Sequence, residues 1–273
     1  MIRRVACISF LLLTCVFGVR SASADDSHSY LALGDSLAFG YSPLVVPVDL
    51  SQYHGYPQIV AGQVNRTLAN ASCFGETSQH FLNLAAEDLG CNAWRSVYPL
   101  LVSYTGTQMD YTVHHLRSHP KTDLVTIDIG INDLGVLLRD CFGDPVCAGN
   151  GLLSVLTAYQ AHLATIYSRI RFEAGYRGRL VAVTAYAFNY TDPLVTPAIA
   201  ALDSILSSVT IAFGGKVADA FTVFGAAAAP FGGDVCQTGL LVKFPNNTCD
   251  THPSAKGHAL IANLVLRAIG DGQ

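Results

Sequence analysis

The chain has 273 residues, of which 51% are hydrophobic, and its 20 acidic and 16 basic residues give a net charge of −4. This mildly acidic balance argues against nucleic acid as a partner, because nucleic-acid binding requires a basic surface. The length and the apolar content suit one large domain with a continuous core.

The first 24 residues have the pattern of a secretory signal peptide. Arg3 and Arg4 precede an apolar run from Ile8 to Val19, and residues 22–24, Ala-Ser-Ala, form a small-residue cleavage site. The run is too short to span a membrane, and we expect no later stretch to cross one. We therefore predict a secreted, monomeric protein without stable membrane insertion, in which residues 25–273 form a single domain.

Short apolar runs then alternate with longer stretches of helical period, which is typical of a parallel sheet covered by helices. Five strands are predicted, near Tyr30–Leu33, Leu68–Cys73, Leu124–Ile129, Leu180–Thr184 and Val217–Phe221. Apolar residues at i, i+3 and i+4 spacing indicate a long amphipathic helix over Leu152–Ile170. Further helices are predicted near Pro57–Ala69, Met109–Ser118, Pro197–Phe213 and Ser254–Ile269, and a small-residue loop over residues 224–233.

Six cysteines follow the predicted signal peptide, and an even number in a secreted chain is typical of disulfides. Six cysteines allow fifteen pairings, and the sequence does not choose among them. Our working hypothesis is the sequential pairing, which joins Cys73 with Cys91, Cys141 with Cys147 and Cys236 with Cys249. The cysteines form no C-x-x-C pair and the chain has no H-E-x-x-H motif, so we expect no metal site.

Four polar clusters lie where this pattern places strand ends or a helix start. They are Gly34-Asp35-Ser36, Phe74-Gly75-Glu76-Thr77, Gly130-Ile131-Asn132-Asp133 and Asp250-Thr251-His252-Pro253. Ligands of open α/β sheets bind beyond the carboxyl ends of the strands, so we expect these clusters to meet there. Asp128 interrupts the apolar third strand, where an unpaired carboxylate is costly, and the sequence assigns it no role.

The clusters hold the parts that acyl transfer needs. A serine hydroxyl becomes a good nucleophile when a neighbouring base accepts its proton, and His252 is the natural base for Ser36. Gly75 and Asn132 suit an oxyanion hole, through a backbone N–H and a side-chain amide, and the Ser36 N–H adds a donor if Ser36 begins a helix. His258 is the competing base, but six residues along a helix place it on a different face from His252.

The order of these residues, Ser, Gly, Asn and His, resembles that of the SGNH or GDSL-type hydrolases. The stretch from GDSLAFGY to DTHPSAKGH is similar to secreted Streptomyces-type esterases and lipases of that family. The resemblance implies a three-layer α/β/α, flavodoxin-like fold and ester hydrolysis through an acyl-serine without a cofactor. It also implies Ser36 as nucleophile, His252 as base, and an oxyanion hole made by the Ser36 and Gly75 N–H groups and the Asn132 side chain.

One position departs from the family pattern. The aspartate that orients the histidine commonly stands three residues before it, where this chain has Cys249, whereas Asp250 stands two before. Either the Asp250 carboxylate or the Cys249 carbonyl is then expected to orient His252, and we favour Asp250 slightly.

The sequence thus predicts a secreted serine esterase or lipase that acts on small-molecule or lipid esters. The alternatives are a carbohydrate acetylesterase of the same fold and a non-catalytic module that binds lipid or glycan. No G-x-S-x-G motif occurs, which disfavours the α/β-hydrolase form of the triad. Aromatic residues near the strand ends are candidates for an acyl pocket: Phe39, Tyr41, Tyr186, Phe188, Tyr190 and Phe231.

Overall fold

The computed structural model describes residues 28–270, so the predicted signal peptide, residues 1–24, lies outside the described residues. Its centre is a parallel sheet of five strands in the order β2-β1-β3-β4-β5. The strands are β1 Ser29–Gly34, β2 Thr67–Asn70, β3 Thr122–Asp128, β4 Arg179–Val183 and β5 Lys216–Ala218. This order is the flavodoxin-like one, and it confirms the predicted fold class.

Helices cover both faces of the sheet and complete the three layers. Those that bury side chains on one face are α4 Gln108–Ser118, α5 Ile131–Asp140, α6 Pro145–Ser168 and α7 Val195–Ala212. Those on the other face are α1 Ser36–Phe39, α2 Tyr56–Val64, α8 Ala220–Ala228 and α9 Ala255–Ile269. The remaining helix, α3 Cys91–Val97, contributes Trp94 to a small aromatic cluster.

Several predicted boundaries are wrong because local residues end the elements early. Helix α2 stops where Asn65 takes a left-handed conformation, so it does not run on to Ala69. The second strand ends at Asn70. The fifth strand ends at Ala218, because Asp219 caps α8 by accepting the N–H of Thr222. The predicted loop over residues 224–233 is therefore helical up to Ala228.

A second, two-stranded antiparallel sheet pairs β6 Leu241–Lys243 with β7 Cys249–Pro253. The sequence analysis did not predict it, because the two strands are too short to show an alternating pattern. His252 therefore lies on a strand and not at the start of the last helix. Helix α9 begins at Ala255, after Ser254 caps it by accepting the N–H of Gly257.

The three disulfides follow the sequential pairing of the working hypothesis. Cys73–Cys91 joins the loop after β2 to α3, and Cys236–Cys249 joins a 3-10 turn to β7. Glu76 lies beside the first of these, with a carboxylate oxygen within 4.8 Å of both sulfurs. Because those sulfurs are bonded to each other, neither is a thiolate that could bind a metal ion.

Helix α7 is long and apolar enough to cross a membrane by length and composition, contrary to the expectation that no later stretch would be. In the structure its apolar side packs on the sheet and on α6, with Ile199, Leu202 and Leu206 buried in the core.

The same helix buries a carboxyl group. Asp203 is 6% exposed, and one of its oxygens accepts the N–H of Ala185, just after β4, at 2.9 Å. Its other oxygen has no hydrogen-bond partner among the described residues. Burial raises the pKa of Asp203 to about 8, so the group is neutral in the folded protein at pH 7.

We expect Asp203→Asn to increase stability progressively as the pH rises from about 4 to about 8. The unfolded chain releases the Asp203 proton near pH 4 whereas the folded protein holds it to about 8, so the wild type loses stability over this window. The amide keeps the acceptor for Ala185 and does not titrate. Urea unfolding at several pH values in the window measures the difference, and Asp144→Asn, an exposed helix cap, is the control. A pH-independent difference would contradict the assignment.

Candidate active site

Ser36 is the first residue of α1 and follows a tight turn at the end of β1. Gly34 in this turn has φ +133°, and a Cβ there would lie 2.1 Å from the carbonyl oxygen of Asp128, so only glycine fits. Asp35 caps the helix by accepting the N–H of Leu37 at 2.9 Å. The expectation that Ser36 begins a helix is confirmed.

Asp128, at the end of β3, holds this turn in place. One carboxylate oxygen accepts the N–H groups of Asp35 and Ala38, both at 3.3 Å, and the other accepts the hydroxyl of Tyr56 at 2.8 Å. A carboxyl group in an apolar strand is therefore fully paired, which answers why Asp128 stands there.

Asp35 and Asp128 form a buried carboxyl pair beneath Ser36. Burial, and then the charge of Asp128, raises the pKa of Asp35 well above its usual value. Burial likewise raises the pKa of Asp128, to about 6. Since two adjacent buried carboxylates cannot both ionise at low cost, each opposes the ionisation of the other.

His252 lies between Ser36 and Asp250. Its Nε2 is 2.9 Å from the Ser36 hydroxyl oxygen, and its Nδ1 and its backbone N–H both donate to one oxygen of Asp250. Partial burial opposes ionisation of Asp250, but these hydrogen bonds outweigh it and hold the pKa of the carboxyl below its usual value. Because the ionised carboxylate can only accept, Nδ1 carries a proton and Nε2 of the neutral ring is free to accept one. Of the two expected orienting groups, the Asp250 carboxylate is the one in contact.

Two tyrosines support the position of His252 without being part of the hydrogen bonds that join Ser36, His252 and Asp250. The ring of Tyr41 stands edge-on to the imidazole with centroids 4.7 Å apart. The hydroxyl of Tyr186 donates to the carbonyl of Thr251 at 2.7 Å, which ties β7 to the loop after β4. His258, on α9, is buried, and neither of its ring nitrogens has a hydrogen-bond partner among the described residues, so it does not contact Ser36.

Asn132, the second residue of α5, joins the loops that follow three strands. Its Nδ2 donates to the carbonyl of Glu76 at 2.9 Å and to the carboxyl of Asp35 at 3.2 Å. Gly75, next to Glu76, has φ +73°, and a Cβ there would lie 2.5 Å from the carbonyl group of Leu89. The glycine is thus required by both its conformation and its close contact.

Two further side chains, which the sequence analysis did not single out, hold the loops that contain these residues. The side chain of Gln108, on α4, accepts the N–H of Gly34 at 2.6 Å and donates to its carbonyl at 2.9 Å and to the Glu76 carboxylate at 3.0 Å. Ser78 donates to Asp133 through its hydroxyl at 2.5 Å and its N–H at 2.9 Å. Ser78 and Asp133 stood in or beside the polar clusters, but no local pattern singled out Gln108, because its partners are distant in sequence.

All four predicted residues, Ser36, Gly75, Asn132 and His252, line one cleft of about 390 Å³. The rest of its wall is largely apolar: Leu37, Phe74, Leu89, Ile131, Ala185, Tyr186, Phe188, Val195 and Ile199. Two of the six candidate aromatic residues, Tyr186 and Phe188, are thus on the wall. Phe39 is instead fully buried against Tyr53 and Trp94.

Fold and comparison together define the class of this protein, a carboxylic ester hydrolase. Residues 32–260 match the model of the GDSL-like lipase/acylhydrolase family, and the chain belongs to that family. This confirms the resemblance drawn from the sequence.

Solved structures with the same fold include enzymes of this kind. Phospholipase A1 from Streptomyces albidoflavus NA297 is 18% identical over 89% of this chain and 99% of its own, with a TM-score of 0.60. An extracellular lipase from Streptomyces rimosus is 17% identical over 89% and 100%, with a TM-score of 0.57. An acetyl xylan esterase variant from Geobacillus stearothermophilus is 19% identical over 90% and 96%, with a TM-score of 0.54. At these identities the likeness establishes the shared fold, and no curated protein matches the sequence significantly.

We expect Gly75→Ala to destabilise the protein more than Gly239→Ala. Both glycines have φ near +75°, so both substitutions incur the cost of a left-handed alanine, about 1 to 2 kcal/mol. A Cβ at Gly239 meets nothing within 4 Å, whereas one at Gly75 collides with backbone. The difference between the free energies of unfolding in urea isolates the collision, and equal losses would refute it.

Proposed function

We propose that the protein is a secreted serine esterase or lipase that hydrolyses carboxylic esters through an acyl-serine intermediate. The observation that carries the proposal is the chain of hydrogen bonds from Ser36 through His252 to Asp250. Ser36 and His252 line a cleft that Gly75 and Asn132 also line, so the proposed nucleophile, base and oxyanion donors border one space.

In the first step, Ser36 Oγ attacks the ester carbonyl carbon while its proton passes to His252 Nε2. Asp250 stabilises the imidazolium that forms and keeps the ring in the tautomer that accepts at Nε2. The C–O bond to the alcohol then breaks, and His252 returns the proton to the departing oxygen. Ser36 is left acylated, and the alcohol leaves.

The oxyanion of the tetrahedral intermediate accepts hydrogen bonds from the N–H groups of Ser36 and Gly75 and from Asn132 Nδ2. Both hydrogens of this amide are engaged in the structure, so one bond must be exchanged for the oxyanion. The bond to Asp35, at 3.2 Å, is longer than that to Glu76, at 2.9 Å, and is the one we propose to be exchanged. The amide nitrogen is already in place, so the exchange of this one hydrogen bond is the reorganisation that the step requires of Asn132.

The second step repeats the first with water as nucleophile. His252 Nε2 takes a proton from water, the resulting hydroxide attacks the acyl carbon, and the same donors hold the oxyanion. Collapse of this intermediate releases the carboxylic acid and returns the proton to Ser36. Side chains, backbone amides and water supply every proton and bond that the cycle uses.

Secretion is supported by the three disulfides, which persist in oxidising compartments, and by the sequence pattern of residues 1–24. The monomeric state stays a prediction. An ester of apolar acids is favoured over an acetylated sugar, because Leu89, Ile131 and Phe188 give the cleft an apolar wall.

We expect Ser36→Ala to reduce the turnover of a chromogenic ester by about 10⁵-fold or more, since no nucleophile remains. The same variant should lose covalent labelling by a fluorophosphonate probe, measured by intact-protein mass spectrometry. Ser96→Ala, which removes an exposed hydroxyl elsewhere, is the control and should retain both properties. Labelling that persists in Ser36→Ala would identify another nucleophile.

We expect Asp250→Asn to lower kcat by about 10² to 10⁴-fold, because an amide cannot hold the ring in the tautomer that accepts at Nε2. Fluorescence and circular dichroism report whether the fold is retained. Asp144→Asn, at an exposed helix cap, is the matched control. Activity near that of the wild type would assign the orientation of His252 to the Cys249 carbonyl instead.

A further inference from the structure

We propose that the apolar cavity between α5, α6 and α7 binds the aliphatic acyl chain of the ester, and that it selects medium or long chains over acetyl. The proposal rests on the ester hydrolysis proposed above and names the substrate class of the same site.

The cavity has a volume of about 230 Å³. Helix α5 contributes Leu134 and Leu138 to its wall, α6 contributes Ala148 and Leu152, and α7 contributes Ala198. Asn132 is the one polar side chain on the wall, and no charged group lines it among the described residues. A site of this composition offers no hydrogen bonds for a sugar and suits a hydrocarbon chain.

The cavity adjoins the catalytic cleft. The cavity and the cleft share a wall, because both are lined by Ile131, Asn132, Val195 and Ile199. Because Asn132 is the proposed oxyanion donor, a chain attached to the reacting carbonyl begins at this wall. The cavity therefore lies next to the position of a substrate held at Ser36.

The layers of the fold decide which part of the ester points towards the cavity. The carbonyl carbon carries the oxygen, the alcohol and the acyl chain, and the alcohol must leave beside His252, which protonates it. His252 lies on β7, which contacts α1 and α9 on one face of the sheet. Helices α5, α6 and α7 lie on the other face. With the alcohol on the side of α9, the acyl chain extends to the side of the cavity.

Transfer of the acyl chain from water into the cavity predicts how kcat/KM depends on the length of the chain. Each methylene that is buried in the transition state should raise kcat/KM by about fourfold, until the cavity is full. The wild type should therefore prefer octanoyl to acetyl p-nitrophenyl ester, and the gain should stop or reverse for the longest chains.

Filling the cavity tests the location. Ala198→Leu and Ala148→Leu each add a branched chain from a different helix, and both alanines are buried. Each substitution should lower the octanoyl-to-acetyl ratio of kcat/KM at least tenfold. Ala200→Leu adds the same bulk to the opposite face of α7, outside the cavity lining, and should keep the ratio of the wild type. An unchanged ratio in the folded cavity variants would overturn the proposal, as would a wild type that prefers acetyl.

A binding measurement makes the test independent of catalysis and of the folding of any one variant. Decanoic acid, titrated by calorimetry into Ser36→Ala, should bind saturably, and adding Ala148→Leu or Ala198→Leu should weaken binding at least tenfold. Binding that neither substitution weakens, or no binding at all, would refute the acyl site. Failure of the proposed function can be told apart from failure of the acyl site, because hydrolysis and labelling would then persist in the Ser36→Ala variant.

Discussion

Two buried carboxyl groups hold the serine-bearing helix against the neighbouring strand, and the site depends on them. Asp128 accepts two backbone N–H groups of the α1 turn, and Asp35 both caps that helix and accepts from Asn132. The arrangement requires Gly34, whose missing Cβ leaves room for the β3 carbonyl. The raised pKa values of the two groups reduce the negative charge that they place beside the cleft.

The proposed oxyanion donors are held by contacts that cross between loops. Asn132 bonds to the loops after β1 and β2, Gln108 joins the same two loops from α4, and Ser78 binds Asp133. The disulfide Cys73–Cys91 closes the segment that contains Gly75. Such redundancy is what preorganisation needs, because donors that are fixed before the reaction do not have to be aligned during it.

The histidine comes from a different part of the fold. It stands on the small antiparallel sheet, which Cys236–Cys249 and the Tyr186 hydroxyl attach to the rest. This placement puts His252 and α9 in one layer and the apolar helices α5 to α7 in the other. The proposed acyl site uses this division, with the alcohol of the ester on the side of His252 and the acyl chain on the side of α5 to α7.

The sequence by itself determined the class of fold, the five strands and the order of the polar clusters, and it singled out Ser36, Gly75, Asn132 and His252 as the candidate residues that line one cleft. Those features are local: apolar periodicity, glycine turns and short motifs are written in neighbouring residues. Only the tertiary structure decided what Asp128 binds and that Gln108 hydrogen-bonds to two loops. It also decided which strand carries His252 and which group hydrogen-bonds to the Nδ1 of that histidine. Each of these depends on contacts or pairings fixed by folding, as when Gln108 meets Gly34 and Glu76 across long stretches of chain. The chemistry of single residues could therefore be predicted from the sequence, whereas the distances and contacts between them are set by the packing of the folded chain.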